Sequence, residues 1–257
     1  MIDDPLPTHV PIRAKVETAP AARAVGRRVL TPAHHAARVC GVLFDLDGTL
    51  IDSATGIAEA LNRTLFKLGL MREPETLIRG WIGDGARELL QRALAHAGWT
   101  APDAAAFERA YARLMHHYAE SLPLQARPFP GADDTLRRLR AAGAGIALCT
   151  NKPQRFIGPL LDALGWRDAF DAVAGGDTLP QRKPDPAPLL HCAAALGAAP
   201  AQCLMVGDSR TDAEAAAAAR MPLVLVRFGY ARGYDLERAG ATAVVDDLRA
   251  VVQSAGA

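Results

Sequence analysis

At 257 residues the chain is long enough for one large domain, or for a domain that carries a smaller insert. Apolar residues make up 50% of it, so a sizeable core can be buried. A formal net charge of +1 gives no electrostatic reason to expect nucleic acid or an anionic membrane as partner, and no apolar run approaches the roughly 18 residues needed to cross a bilayer. Cys40, Cys149, Cys192 and Cys203 form no C-x-x-C pair, and Cys149 and Cys203 lie in apolar, strand-like runs. A thiol in such a run behaves as a small hydrophobe, which fits a reduced, cytoplasmic setting.

Residues 1–39 carry Pro5, Pro7, Pro11, Pro20 and Pro32 and no sustained periodicity. They read as a mildly basic, disordered N-terminal extension or an over-long start, with a docking arm as the alternative. Met1-Ile2-Asp3-Asp4-Pro5 has neither a basic nor an apolar leader region, so no secretory signal is expected. The run Val42-Leu43-Phe44 then has strand length and stops at Asp45-Leu46-Asp47-Gly48-Thr49. Residues 54–124 follow a helical period. Ile57, Leu61, Leu65 and Leu68 mark one helix, Leu89, Leu90 and Leu94 a second that begins near Asp84-Gly85, and Phe107, Tyr111, Leu114, Met115 and Tyr118 a third. No strand signal interrupts them, so this stretch is expected to be an all-helical cap domain inserted into a core made of residues 40–53 and 125–257.

From Arg127 onward, helix and strand patterns alternate. The strand-like runs Ile146-Ala147-Leu148-Cys149, Ala172-Val173-Ala174, Cys203-Leu204-Met205-Val206 and Leu223-Val224-Leu225-Val226 are apolar throughout, and Ala243-Val244-Val245 is a further candidate. Apolar strands separated by helices predict an α/β fold with a doubly wound parallel sheet covered on both faces. Pro159 falls awkwardly inside the helix marked by Phe156, Leu160, Leu161 and Leu164, which should therefore start late or bend.

The polar clusters come where those strands stop. Asp45 and Asp47, Thr150, and Asp208 with Asp212 each follow the last apolar residue of a strand, and Lys183 lies in a loop that leads into a helix. In an open parallel sheet the carboxyl ends of the strands converge on the ligand crevice. Asp45, Asp208 and Asp212 offer hard oxygen ligands suited to Mg²⁺. Thr150 and the Gly48 region offer donors to a phosphoryl group, and Lys183 adds a point charge. Asp47 is placed to carry a proton while Asp45 stays ionised.

These motifs resemble those of the haloacid dehalogenase (HAD) superfamily, in order: Asp45-Leu46-Asp47-Gly48-Thr49-Leu50, Thr150-Asn151, Lys183-Pro184 and Gly207-Asp208-Ser209-Arg210-Thr211-Asp212. Within the superfamily the chain most resembles bacterial phosphoglycolate phosphatases, through Trp81-Ile82-Gly83-Asp84-Gly85-Ala86, Thr150-Asn151-Lys152-Pro153 and Gly175-Gly176-Asp177. The resemblance implies a HAD-like Rossmannoid core and a Mg²⁺-dependent hydrolysis of a small phosphorylated metabolite, 2-phosphoglycolate first. It implies Asp45 as nucleophile forming an aspartyl-phosphate, Asp47 as acid and base, and Thr150 and Lys183 as holders of the phosphoryl oxygens. Asp45, the backbone carbonyl of Asp47, and Asp208 would hold the metal. Asp212 is open between a water-mediated ligand, an orienter of Lys183 and a helix-end carboxylate, and Asp177 between orienting Lys183 and ending a loop.

Gly48, Thr49, Asn151, Lys152, Gly83 and Gly85 are the candidate substrate-binding residues. Gly83-Asp84-Gly85 is expected to aim free N–H groups at a small carboxylate, with Arg79, Arg87 or Lys152 assisting. The histidines, His116-His117 included, show no metal-ligand spacing and are expected to be solvated. One departure from the pattern is Ala219-Arg220-Met221-Pro222, where a glycine is usual; a left-handed Arg costs on the order of 1 kcal/mol. The rival readings are a sugar-phosphate phosphatase or phosphomutase on the same scaffold, and a non-catalytic binding protein. The last would be expected to have lost Asp45, Asp47, Lys183 or Asp208, all of which are present.

Overall fold

Strand β1 (Gly41–Phe44) is buried along its whole length, and its side chains alternate between two apolar clusters. Val42 and Phe44 point into one, and Leu43 into the other. That period of two, apolar on both faces, is what a central strand of a covered parallel sheet requires. The structure, a computed structural model, describes residues 39–101 and 103–256. The expectation for residues 1–39 lies outside the described residues except at Val39.

The remaining elements in chain order are β2 (Ile51–Asp52), α1 (Ala54–Lys67), α2 (Glu75–Arg79), α3 (Ala86–His96), α4 (Ala104–Gln125), β3 (Arg127–Pro128), α5 (Ala132–Ala141) and β4 (Gly145–Cys149). They are followed by α6 (Ile157–Leu164), β5 (Ala172–Ala174), α7 (Ala187–Ala195), β6 (Cys203–Gly207), α8 (Arg210–Ala219), β7 (Leu223–Val226), β8 (Ala243–Val245) and α9 (Ala250–Ser254). Six strands form a parallel sheet in the order β5-β4-β1-β6-β7-β8, and β2 and β3 make a small antiparallel pair. Helices α5, α6 and α9 pack on the Val42–Phe44 face, and α7 and α8 on the Leu43 face. The sheet is thus doubly wound, as its uninterrupted apolar strands predict.

Between β2 and β3 the regular elements among the described residues are all helices, with a separate apolar cluster built on Ile57, Leu61, Leu65, Leu90, Leu114 and Leu122. Each such side chain taken fully out of water contributes about 1.5–3 kcal/mol. The stretch holds four helices where periodicity marks three; α2, at five residues, is too short to show a repeat. Helix α6 does start late: a 3₁₀ turn over Gln154–Phe156 precedes it, so Pro159 falls in its first turn, where the missing N–H is not needed. Arg220 closes α8 in the left-handed region, φ 55° and ψ 41°. The strand-embedded Cys149 and Cys203 are buried, as is Cys192. Among the described residues no helix is long and apolar enough to cross a membrane.

Candidate active site

The order β4-β1-β6 decides which residues meet. Phe44 is in register with Leu148 on one side and Val206 on the other, so the chain leaves all three strands at nearly the same level. Asp45 follows directly, and Thr150 and Asp208 lie one residue further along their own strands. Because the chain runs outward from β1 through β4 to β5 and then returns to β6, the crevice lies at a topological switch point. Asp45, Thr150, Asn151, Lys152, Lys183, Asp208 and Asp212 are all buried there.

Lys183 is the hub of the charged cluster. Its Nζ donates to Asp212 Oδ1 at 2.6 Å and lies 2.9 Å from Asp45 Oδ1. The approach to Asp45 is not aligned for a hydrogen bond, so that buried oxygen accepts none. Asp212 has partners on both of its oxygens. One oxygen holds Lys183, and Oδ2 accepts from Ser209 Oγ at 2.7 Å and from the Ser209 and Asp208 N–H groups, capping α8. Asp177 instead accepts from Gln154 N at 2.7 Å and ends a loop.

Asp208 is held from two directions, by Thr49 Oγ1 at 2.9 Å and by Tyr230 N at 2.5 Å. Its carboxylate packs against backbone: a Cβ at Gly48, where φ is +95°, would come within 2.3 Å of Asp208 Oδ2, and one at Gly229 within 2.3 Å of its Cβ. Asp47 is gripped separately. Lys152 Nζ lies 2.9 Å from both its oxygens, and Ser53 Oγ donates to Oδ1 at 2.5 Å. Ser53 occupies the N-cap of α1 without capping it; its hydroxyl goes to Asp47, and Asp52 accepts from Ala54 N in its place.

The charges bear on a metal. Ligand oxygens of Asp45, Asp208 and Asp212 lie within 4.8 Å of one another. Ionised together, the three carboxylates would outnumber the Lys183 ammonium by two in a buried space, and the Asp45 oxygen beside Lys183 accepts no hydrogen bond. Hard oxygen donors and that residual charge fit a divalent cation. Without one, burial pushes the Asp45 carboxyl up to about 6, against the pull of Lys183. Burial, then Asp212 and Asp45, raise Asp208 well above the carboxylate range. Burial works against the Lys183 charge, but Asp212 and Asp45 outweigh it and raise its pKa.

A stability dependence follows, and its sign is fixed by linkage. The folded protein keeps a proton on Asp45 up to about pH 6, while the unfolded chain releases it near 3.8. The folded state therefore binds more protons in that window, and its stability falls as pH rises through it. Urea unfolding of the protein in EDTA is expected to show wild type losing stability between about pH 4 and pH 6 relative to Asp45→Asn. Parallel curves for the two proteins would contradict this assignment.

Of the residues expected at the substrate end, Gly83, Gly85, Asn151 and Lys152 line one small cavity with Asp45, Asp47 and Thr150. Arg79 and Arg87 do not reach it. Arg79 binds Asp52 and lies over the Tyr230 ring, and Arg87 pairs with Glu108 on the surface. Asp84 turns away from the cavity: Arg92 binds it from α3, while Arg232 (2.6 Å) and Thr211 (2.9 Å) bind it from the other side of the crevice. Burial alone would raise the Asp84 carboxyl, but the Arg232 and Arg92 hydrogen bonds hold it well below its usual range. His117 corrects the expectation of solvated histidines, since it is buried, and it lies with His116 and Glu120 in a second possible ligand cluster.

Sequence reasoning missed Tyr230 and Arg232. The Tyr230 hydroxyl donates to Asp52 Oδ1 at 2.7 Å and accepts from Ser53 and Ala54 N–H, tying the entrance of α1 to the loop after β7. Phe228-Gly229-Tyr230 comes just after a strand end, as the other clusters do, and that position was the available signal.

Known proteins share this chain's sequence and fold. Residues 41–220 match the model of a hydrolase family, the haloacid dehalogenase-like hydrolases. The chain is 48% identical over 217 residues to a phosphoglycolate phosphatase of Pseudomonas putida, covering 82% of this chain and 78% of that protein. It is 41% identical to one of Thiobacillus denitrificans, covering 80% and 91%. The crystal structure of a predicted phosphoglycolate phosphatase from Haemophilus somnus superposes with a TM-score of 0.79 at 30% identity, covering 84% of this chain and 98% of that one.

Proposed function

The chain belongs to the haloacid dehalogenase-like hydrolases, and from that premise we propose that it is a Mg²⁺-dependent phosphatase hydrolysing 2-phosphoglycolate to glycolate and inorganic phosphate. The observation that carries this reading is the Asp45 carboxylate, buried at the switch point with one oxygen that accepts no hydrogen bond. Asp45 attacks phosphorus, the bond from phosphorus to the ester oxygen breaks, and an aspartyl-phosphate forms. Asp47 gives its proton to the departing alkoxide. As a carboxylate it then takes a proton from the water that attacks the aspartyl-phosphate, and phosphate leaves with Asp45 restored. Lys152 and Ser53 hold the Asp47 carboxyl group in place for both steps.

Asp45, the backbone carbonyl of Asp47, and Asp208 would hold Mg²⁺, which supplies positive charge opposite the transferring phosphoryl group. Asp212 fixes Lys183, and Lys183 and Thr150 would hold the phosphoryl oxygens. Gly48 and Thr49 shape the floor of the site, and Thr49 also fixes Asp208. Lys152, Asn151, Gly83 and Gly85 face the organic end of the ester, where a small carboxylate suits a buried ammonium and nearby backbone N–H groups. Residues 54–124 are read as a cap over a core of residues 40–53 and 125–257. Phosphate release from a panel of phosphomonoesters, with Mg²⁺ and with EDTA, tests the proposal. The expected result is Mg²⁺-dependent turnover with 2-phosphoglycolate preferred; no Mg²⁺-dependent turnover of any ester would contradict it.

A further inference from the structure

We infer that Tyr118 sets the size of the ester this site accepts, because its ring separates the reaction cavity from a larger apolar groove. The inference rests on the phosphomonoester reading above. The cavity at Asp45 and Asp47 is small, about 30 Å³, and its apolar wall is Ile57, Ile82, Ala86, Leu89 and Tyr118. A groove of about 650 Å³ runs between α4 and the start of α6, lined by Tyr111, Met115, Leu122, Phe156 and Pro159 with Arg155 at its edge. Among the described residues, Tyr118 is the only one that lines both.

Tyr118 is fixed in that position. It is 4% exposed, its ring is tilted 49° against Phe156 with centroids 5.6 Å apart, and Lys152 Nζ lies 5.6 Å over the ring. The same ring therefore closes off the groove and helps to seat the ammonium that grips Asp47. A bulky organic group has no enclosed space on the α4 side unless it passes Tyr118. Beyond the ring, the walls are mainly aromatic and aliphatic, with Glu108, His116 and Arg155 among them. The substrates excluded by Tyr118 are thus aryl and longer alkyl phosphates.

The test compares kcat/KM for 2-phosphoglycolate and for naphthyl phosphate in the full-length, Mg²⁺-loaded protein. Tyr118→Ala and Tyr118→Leu open the wall, the second with less loss of packing, and Tyr118→Trp keeps it shut. The naphthyl-to-glycolate ratio is expected to rise about 10-fold or more in the Ala and Leu variants, the scale that pocket size commands, and not to rise in Tyr118→Trp. A ratio in folded Tyr118→Leu within about twofold of wild type overturns the inference. So does a wild type that hydrolyses naphthyl phosphate as well as 2-phosphoglycolate, a result that needs no variant to fold. Failure of the wild type on every phosphomonoester overturns the underlying reading too, which separates the two outcomes.

Discussion

Asp45→Asn is expected to lower kcat on 2-phosphoglycolate by about 10⁴–10⁶-fold, the scale seen when an enzyme loses its nucleophile, without loss of fold. The amide fills the same volume at the end of β1 but has no anionic oxygen to offer phosphorus. The substitution also removes one of three carboxylates from a buried cluster whose only contacting ammonium among the described residues is Lys183. In the metal-free protein it should therefore be neutral or stabilising, since burial already disfavours the Asp45 charge. Steady-state phosphate release and urea unfolding on the same preparation read both halves. Activity within about tenfold of wild type would remove Asp45 from the mechanism; each tenfold corresponds to about 1.4 kcal/mol of barrier.

Lys183→Met should damage activity and stability together. The ammonium is buried between Asp45 and Asp212, and a thioether of similar length leaves both carboxylates without their cation. Breaking a buried pair on one side typically costs about 3–5 kcal/mol. The loss should be smaller at pH 5 than at pH 7.5, because a carboxylate that takes up a proton no longer needs a counter-charge. Loss of a donor aimed at the transferring group should lower kcat by a further factor of about 10²–10³ in whatever protein remains folded. Unfolding measured at both pH values, with kcat on the folded fraction, checks this. A variant as stable as wild type at pH 7.5 would mean that the cluster is compensated by something other than Lys183.

The parts of the site that were legible in the sequence share one cause. A buried parallel strand must be apolar until it ends, so the first polar residues after Phe44, Cys149 and Gly207 announce the crevice, and Asp45, Thr150 and Asp208 follow from that rule. The doubly wound sheet was legible for the same reason. What stayed hidden depends on contacts between residues far apart in the chain. The motif alone puts Lys152 near the substrate; that it grips Asp47 depends on how β4 lies beside β1. Asp84, between two glycines, looked like part of an anion-directed turn, and only the fold brings Arg232 and Thr211 to it. Helix α2 was too short to carry a period, and His117 turned inward on a helix whose neighbouring His116 faces solvent.

Arg220 is informative because the expectation of strain there is met by the conformation itself. It takes the left-handed position in which a glycine would cost nothing, at the end of a helix rich in alanine. The strain lies at the far end of α8 from Asp212, so it concerns how α8 leads into β7 and leaves the chemistry untouched.

In the proposed reaction the phosphoryl group passes through Asp45. Protein mixed with 2-phosphoglycolate carrying a radiolabelled phosphate, in the presence of Mg²⁺, should be quenched in acid within one turnover and digested. Label is expected on the peptide that contains Asp45, disappearing as free phosphate is released, and none is expected in Asp45→Asn. Phosphate release with no labelled protein at any quench time, or label on a peptide that lacks Asp45, would contradict it.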